Sequence, residues 1–248
     1  MDVFKEYASF YDALYKDKDY VAEASDVDRL LKKWGDNIHS IIVFGCGTGK
    51  HDRCLKELGY ELYGIDMSSD MVKKAVATNS GIGYEVADIR DYSPKVKYDA
   101  VISLFHVMSY QNTNEDIRKA FRSARKALNT GGLFLFDVWN GPGVLTDLPV
   151  LRVKKVETDT YNITRIARPQ MYPNTNIVDV NYEMIITDKR TKIANEMLES
   201  HHMRYFFRPE IEEYLASEGF ELTGSVDCKR MDEPDFDSWT VYYGAKAV

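Results

Sequence analysis

The residues best placed to hold a ligand carry almost no side-chain chemistry. Val43-Phe-Gly45-Cys-Gly47-Thr-Gly49 sits between an apolar run and a helical stretch. Glycines at such a junction let the chain turn sharply and let a ligand approach the backbone with no Cβ in the way. The first turn of the following helix offers free N–H groups to a carboxylate or phosphate. The spacing is G-x-G-x-G, and Lys50 stands where the dinucleotide pattern G-x-G-x-x-G has its third glycine.

Two carboxylates extend this reading. Asp66 ends the next apolar run, 19 residues after Gly47. From there an acidic side chain accepts from both hydroxyls of a ribose. Asp88, in Val86-Ala-Asp88-Ile-Arg-Asp91, ends the run after that, where it could accept from an adenine amino group. Aspartate after a strand is also a common helix N-cap. Three matches at the carboxyl ends of successive strands favour the ligand.

These residues need strands and helices in alternation. Ser40–Phe44, Glu61–Ile65, Tyr84–Ala87, Tyr98–Phe105 and Leu133–Val138 read as strands, with Ala100, Val101, Ile102 and Leu104 continuously apolar. Helices are expected over the first forty residues, on to Leu58 after the glycine loop, over about 69–78 and over about 114–128. Asn129-Thr-Gly-Gly132 acts as the stop signal of the last. Val21, Ala24, Val27, Leu30 and Leu31 recur at helical steps on one face. Past Asn140 the period becomes two: Val178, Val180, Tyr182, Met184 and Ile186 alternate with mostly polar neighbours, and Asp188-Lys-Arg-Thr191 turns into a returning strand near 193–205. Glu210–Ser217 reads as a helix and Trp239–Ala245 as a last strand. The fold class is α/β: a Rossmann-like, doubly wound, mostly parallel sheet with an inserted antiparallel β region. Residues 1–140 and 206–248 form the α/β domain, and 141–205 the insertion.

Composition sets the outer limits. The chain has 248 residues and a formal net charge of −7, which argues against nucleic acid, whose binders carry a basic face. No run is long and apolar enough for a membrane helix, and Met1 to Tyr20 lacks the pattern of a signal peptide, so a cytoplasmic protein is expected. Cys46, Cys54 and Cys228 are odd in number and form no CxxC, which suits a reduced compartment. His51 and Cys54 would share a helix face, as half a metal site does, but no second pair follows, so no metal is expected. Without secretion, the sequon at Asn162 carries no meaning.

On the glycine loop, Asp66 and Asp88, the chain resembles the class I S-adenosylmethionine methyltransferases over roughly residues 7–140 and the final helix and strand. The resemblance implies S-adenosyl-L-methionine as cofactor. It implies a cofactor site of Tyr15, Gly45, Cys46, Gly47, Gly49, Asp66, Met67, Asp88, Ile89 and Phe105, with Met67 and Ile89 sandwiching the adenine. Val43 departs from the acidic residue common at its position. A narrower resemblance, to the bacterial nucleotide-sugar N,N-dimethyltransferases, rests on Tyr11-Asp-Ala-Leu-Tyr15, Lys18-Asp-Tyr20-Val-Ala-Glu23-Ala, Cys46-Gly-Thr-Gly49-Lys-His51, Asp88-Ile-Arg90-Asp91, Asp137-Val-Trp139 and Phe206. It implies a small-molecule acceptor, the amine of a nucleotide-linked amino sugar, and an enzyme that is often a homodimer. The stretch Arg230-Met-Asp-Glu-Pro-Asp-Phe-Asp-Ser238 departs from that family, being acidic where a diphosphate would lie. The alternative is O- or N-methylation of a non-sugar small metabolite.

Within this frame His106 and Tyr15 are the candidate catalytic groups. His106 follows the fourth strand at the carboxyl edge of the sheet, where ligands sit in open α/β folds. Tyr11, Tyr20, Trp139 and His201 are the candidate acceptor contacts. Tyr11 and Tyr15 are four apart and share a helix face. His201 and His202 are adjacent on a strand, so only one of them is expected to face the site.

Overall fold

The computed structural model describes residues 7–248; residues 1–6, part of the helical reading of the first forty, lie outside the described residues. The chain opens with α1 (Tyr7–Leu14) and α2 (Tyr20–Trp34). Asp19 caps α2, accepting from Ala22 N at 2.9 Å. Ala24, Val27, Leu30, Leu31 and Trp34 are its buried stripe, whereas Val21 is exposed. Each three-residue step rotates a helix position by about 60° from the one before, so Val21 falls outside a stripe centred near Val27.

β1 (Ser40–Phe44), α3 (Lys50–Glu57), β2 (Glu61–Asp66), α4 (Ser69–Thr78), β3 (Gly83–Val86), β4 (Tyr98–Ser103), α5 (Asn114–Ala127) and β5 (Leu128–Asn140) follow. β1 pairs in parallel with β2 and β4, β2 with β3, and β4 with β5, giving the order β3-β2-β1-β4-β5. Ile42 and Phe44 enter one apolar cluster with Ile117, Phe121 and Ala124 of α5. Ile41 and Val43 enter the other with Val27, Leu31 and Trp34 of α2. The sheet is covered on both faces, which is why its central strands read as unbroken apolar runs.

At the far edge lie α7 (Arg208–Ser217), β10 (Phe220–Asp227) and β11 (Thr240–Ala247), the last antiparallel to β5. Between come α6 (Gly141–Thr146), β6 (Arg152–Glu157), β7 (Tyr161–Tyr172), β8 (Ile177–Asp188) and β9 (Ala194–Phe206), four strands paired antiparallel in sequence order. The end of β9 then runs beside β5, with Tyr205 opposite Trp139 and Phe206 opposite Asn140. It lies beyond Phe136, the last β5 residue to pair with β4. The two sheets are thereby joined into one.

The fold is the α/β arrangement expected, with local corrections. Asn129-Thr-Gly-Gly132 lies inside β5 rather than in a loop: the β4–β5 register jumps between Tyr98 and Ala100, so the glycines are absorbed as a bulge. β6, β7 and β10 carry no clean period, since most of their residues are partly exposed, and only the structure sets their bounds.

Candidate active site

At the end of β1 the chain turns through Gly45, Gly47 and Gly49, all with positive φ. A Cβ on Gly49 would meet Asn79 Nδ2 at 2.4 Å and Tyr84 Oη at 2.5 Å, while one on Gly47 would meet nothing within 4 Å. Gly49 is thus required by the packing beneath the loop, and Gly47 leaves its backbone open to a cavity. Gly49 is also the N-cap of α3 and offers no side-chain cap, so that helix start is open to a ligand.

Asp66 Oδ2 accepts from Gly47 N at 2.9 Å and Oδ1 from Ser68 N at 2.8 Å. Burial pushes this carboxyl up against those two N–H donors. Ser68, not Asp66, caps α4, and no helix starts at Asp88. The capping alternative therefore fails for both. Asp88 is gripped by Arg90, whose Nε lies 2.9 Å from Oδ1 and 3.1 Å from Oδ2. That grip holds the carboxylate below its usual range, and Arg90 reaches on to Asp116 at 3.4 Å.

Beyond β4 two consecutive non-glycine residues, Phe105 and His106, have φ of 64° and 68°. Such strain persists only where the surroundings enforce it. Here the enforcing group is Asp137, a nearly fully buried carboxylate on β5. It accepts from His106 N at 3.0 and 3.1 Å, and its Oδ2 lies 2.8 Å from His106 Nδ1. The His106 ring stacks on Phe105 and meets Trp139 edge-on at 6.2 Å. Sequence reasoning did not assign Asp137 a role; its signal was an acidic residue inside the apolar run Leu133–Trp139.

Tyr15 stands edge-on to Phe105 at 5.3 Å and 4.8 Å from Tyr11, and its hydroxyl accepts from Arg165 Nη1 at 3.2 Å. Burial first, then the neighbouring tyrosines, raises the Tyr11 phenol well above its ordinary value. Tyr20 packs edge-on to His51 at 4.9 Å, with Lys50 Nζ 5.1 Å from its ring, so it stands at the glycine-loop end. Lys18 lies 3.6 Å over Phe105 and 2.8 Å from Glu23. His51 is engaged with that same Glu23 at 2.7 Å, away from Cys54. On β9, His201 Nδ1 lies 2.6 Å from the Tyr110 hydroxyl, and His202 Nδ1 lies 2.6 Å from Asp179 Oδ1.

These groups border one cavity of about 710 Å³, within the usual range for a small-molecule site. The residues singled out for the site from sequence line it with the exception of Gly49, which lies beneath the loop, and they are joined by Tyr110, Tyr182 and Trp239, which sequence reasoning left aside. Both histidines of the 201–202 pair reach it, contrary to the expectation that only one would: His201 from a buried position, His202 from the half-exposed rim. A strand alternates its faces, but this cavity extends past the strand's edge.

Residues 41–132 match the model of a family described as "Methyltransferase domain". Among curated proteins the chain is 26% identical over 220 residues to the dTDP-3-amino-3,4,6-trideoxy-alpha-D-glucopyranose N,N-dimethyltransferase of Streptomyces venezuelae, covering 88% of this chain and 91% of that protein. The chain is an S-adenosylmethionine-dependent methyltransferase. The enzyme is also 25% identical to the putative methyltransferase YqeM of Bacillus subtilis, over 98% and 97% of the two chains. Its fold matches that of the sugar N-methyltransferase KedS8 from a Streptoalloteichus species with a TM-score of 0.83 at 21% identity, over 98% of this chain and 93% of that one. The residues present fit the cofactor: the open backbone at Gly47, the uncapped start of α3 and the buried Asp66 converge on the same end of the cavity.

Proposed function

We propose that this methyltransferase transfers a methyl group to the amine of a small molecule of the amino-sugar class. The observation that carries the reading is one continuous cavity with two unlike ends. One end has the glycine loop, Asp66, Met67, Asp88 and Ile89, assigned here to the cofactor. The other has Tyr11, Trp139, His106 and His201, assigned here to the acceptor. Phe105 and Tyr15 lie between. Tyr20, first expected to touch the acceptor, is assigned to the cofactor end on its contacts with Lys50 and His51. In this reading residues 1–140 and 206–248 carry the cofactor, and the inserted region 141–205 supplies the acceptor wall through β8 and β9. The relatives named as N,N-dimethyltransferases support an amine as the accepting group.

The bound cofactor supplies a sulfonium methyl: the amine lone pair forms the N–C bond as the S–C pair returns to sulfur, and the new ammonium then gives up a proton. The protein's work is alignment and exclusion of water, and well-oriented pairs reach effective molarities of roughly 10⁵–10⁸ M. Asp66 and the Gly47 backbone fix one end of the cavity. Phe105 and Tyr15 wall the point of transfer. His106, with Asp137 Oδ2 2.8 Å from its Nδ1, is assigned here as the acceptor for the amine proton.

The test is mass spectrometry with trideuteromethyl-labelled cofactor, 3-amino and 4-amino sugars as acceptors and the matching hydroxyl sugars as controls. Labelled methyl on the amine alone, lost in Gly47→Val, supports the reading. Label on the hydroxyl sugars moves it to O-methylation, with the His106–Asp137 pair as the required base.

A further inference from the structure

The Streptomyces venezuelae relative is named for a dTDP-linked sugar, and a diphosphate needs cations or aimed backbone N–H groups around it. Among the described residues lining the cavity the fixed cations are Lys50 and Arg90. Both stand at the cofactor end and both are committed, Lys50 to Asp12 at 3.0 Å and Arg90 to Asp88 and Asp116. The acceptor end is lined by histidines instead, each with a carboxylate beside it, and the cation behind it, Arg165, is turned to Tyr15 and Tyr182, 3.2 Å from the Tyr15 hydroxyl and 4.8 Å from the Tyr182 ring. His106 has Asp137 at 2.8 Å, His202 has Asp179 at 2.6 Å and His201 has Glu199 at 3.3 Å. Three carboxylates from three strands thus stand behind this wall.

The segment joining β10 to β11 brings Trp239 to the same wall and adds no free cation. Arg230 lies 3.1 Å from Asp232, 2.9 Å from Asp235 and 3.9 Å from Asp227, and its Nη2 donates to Ser238 Oγ at 3.2 Å. Arg208 is paired with Glu212 at 2.7 Å. Lys229 is exposed and lies outside the cavity lining. Trp139 and Trp239 meet at 5.0 Å and 67°, and aromatic faces attract an ammonium group as they do other cations. Such a wall favours a cationic amine and repels a polyanion.

We propose that the acceptor is an amine-bearing small molecule without a nucleotide diphosphate, such as a free or glycosidically linked amino sugar, bound by this carboxylate-backed aromatic lobe. The inference rests on the reading of that lobe as the acceptor site. The experiment offers the enzyme an equimolar mixture of a methyl 3-amino-3-deoxyhexoside and the dTDP-linked form of the same sugar, with labelled cofactor. Binding of dTDP alone is measured in parallel by calorimetry. We expect the glycoside to be methylated with a kcat/KM at least about tenfold higher, and no dTDP binding at about 1 mM. A smaller preference, or its reversal, overturns the inference while leaving amine methylation intact. If neither sugar is methylated although the cofactor binds, the amino-sugar reading fails instead. The dTDP result then decides this one: binding at or below about 1 mM overturns it, and absence of binding supports it.

Discussion

His106 owes its place to Asp137 rather than to its own backbone preference. Two left-handed residues in succession cost of order 1–3 kcal/mol each, and the Asp137 carboxylate offsets this by accepting the His106 N–H and facing its ring. His106→Ala is expected to lower kcat by roughly 10²-fold while cofactor affinity, measured by calorimetry, stays within about threefold. A large loss of cofactor affinity would show that the histidine serves the cofactor instead. Asp52 has a different role. It is fully buried in the first turn of α3, beside the Tyr84 hydroxyl, with Cys46 and Asp66 nearby. Burial pushes its pKa up from 3.8 to about 7. A carboxyl raised on folding holds its proton longer in the native state, so its contribution falls as pH climbs from about 4 to about 7. The fall is on the order of 4 kcal/mol. Asp52→Asn removes that dependence, so the variant's advantage in Tm over the wild type grows between about pH 5 and pH 8. A constant gap across that range would show that Asp52 is ionised throughout.

At the scale of elements, the strand–loop–helix unit of β1 and α3 separates two kinds of glycine. Gly49→Ala adds a methyl against Asn79 and Tyr84 in a left-handed conformation, and is expected to cost about 2–4 kcal/mol of stability. Gly47→Ala pays only the conformational penalty of about 1–2 kcal/mol, but places its methyl in the cavity. It should stay folded by circular dichroism yet bind cofactor at least about tenfold more weakly. Equal stability losses in the two variants would contradict this division. α1 depends on both halves of the molecule. Leu14 packs with Ile163, Met184 and Ile186 of the inserted sheet, while Asp12 meets Thr48 at 3.1 Å and Lys50 at 3.0 Å beside the glycine loop. That arrangement holds Tyr11 and Tyr15 over the cavity. A helix of eight residues is marginal by itself, so its position depends on those contacts.

For the whole molecule, the cavity is bounded on one side by the parallel sheet and on the other by the inserted antiparallel strands, joined through β5 and β9. A ligand that fills one end stabilises the native state by mass action. At a concentration of about 100 Kd the cofactor should add about 2.7 kcal/mol, a Tm rise of roughly 5–10 °C for a chain of this size. Scanning calorimetry with and without S-adenosylmethionine checks it. No shift at saturating concentration would remove the cofactor assignment of the glycine-loop end.

Much of the glycine-loop end of the cavity was legible in the sequence. Its residues belong to three short strand ends in chain order, and a turn built on glycines followed by spaced aspartates leaves a local signature. The buried strands were legible for the same reason: Ile41, Ile42 and Val43 are apolar because both faces of β1 are covered. What remained hidden depends on contacts distant in sequence. Asp137 reaches His106 across 31 residues, and His201 reaches Tyr110 across 91. No periodicity records such a pairing. His202 joined the wall because the cavity extends past the edge of β9, and the β4–β5 bulge turned a helix stop signal into strand. The sequence by itself determined which backbone could cradle a cofactor, because that is a property of consecutive residues. Only the tertiary structure decided the charge and shape of the cavity's histidine-lined end, because these arise where β5, β8, β9 and the β10–β11 segment meet.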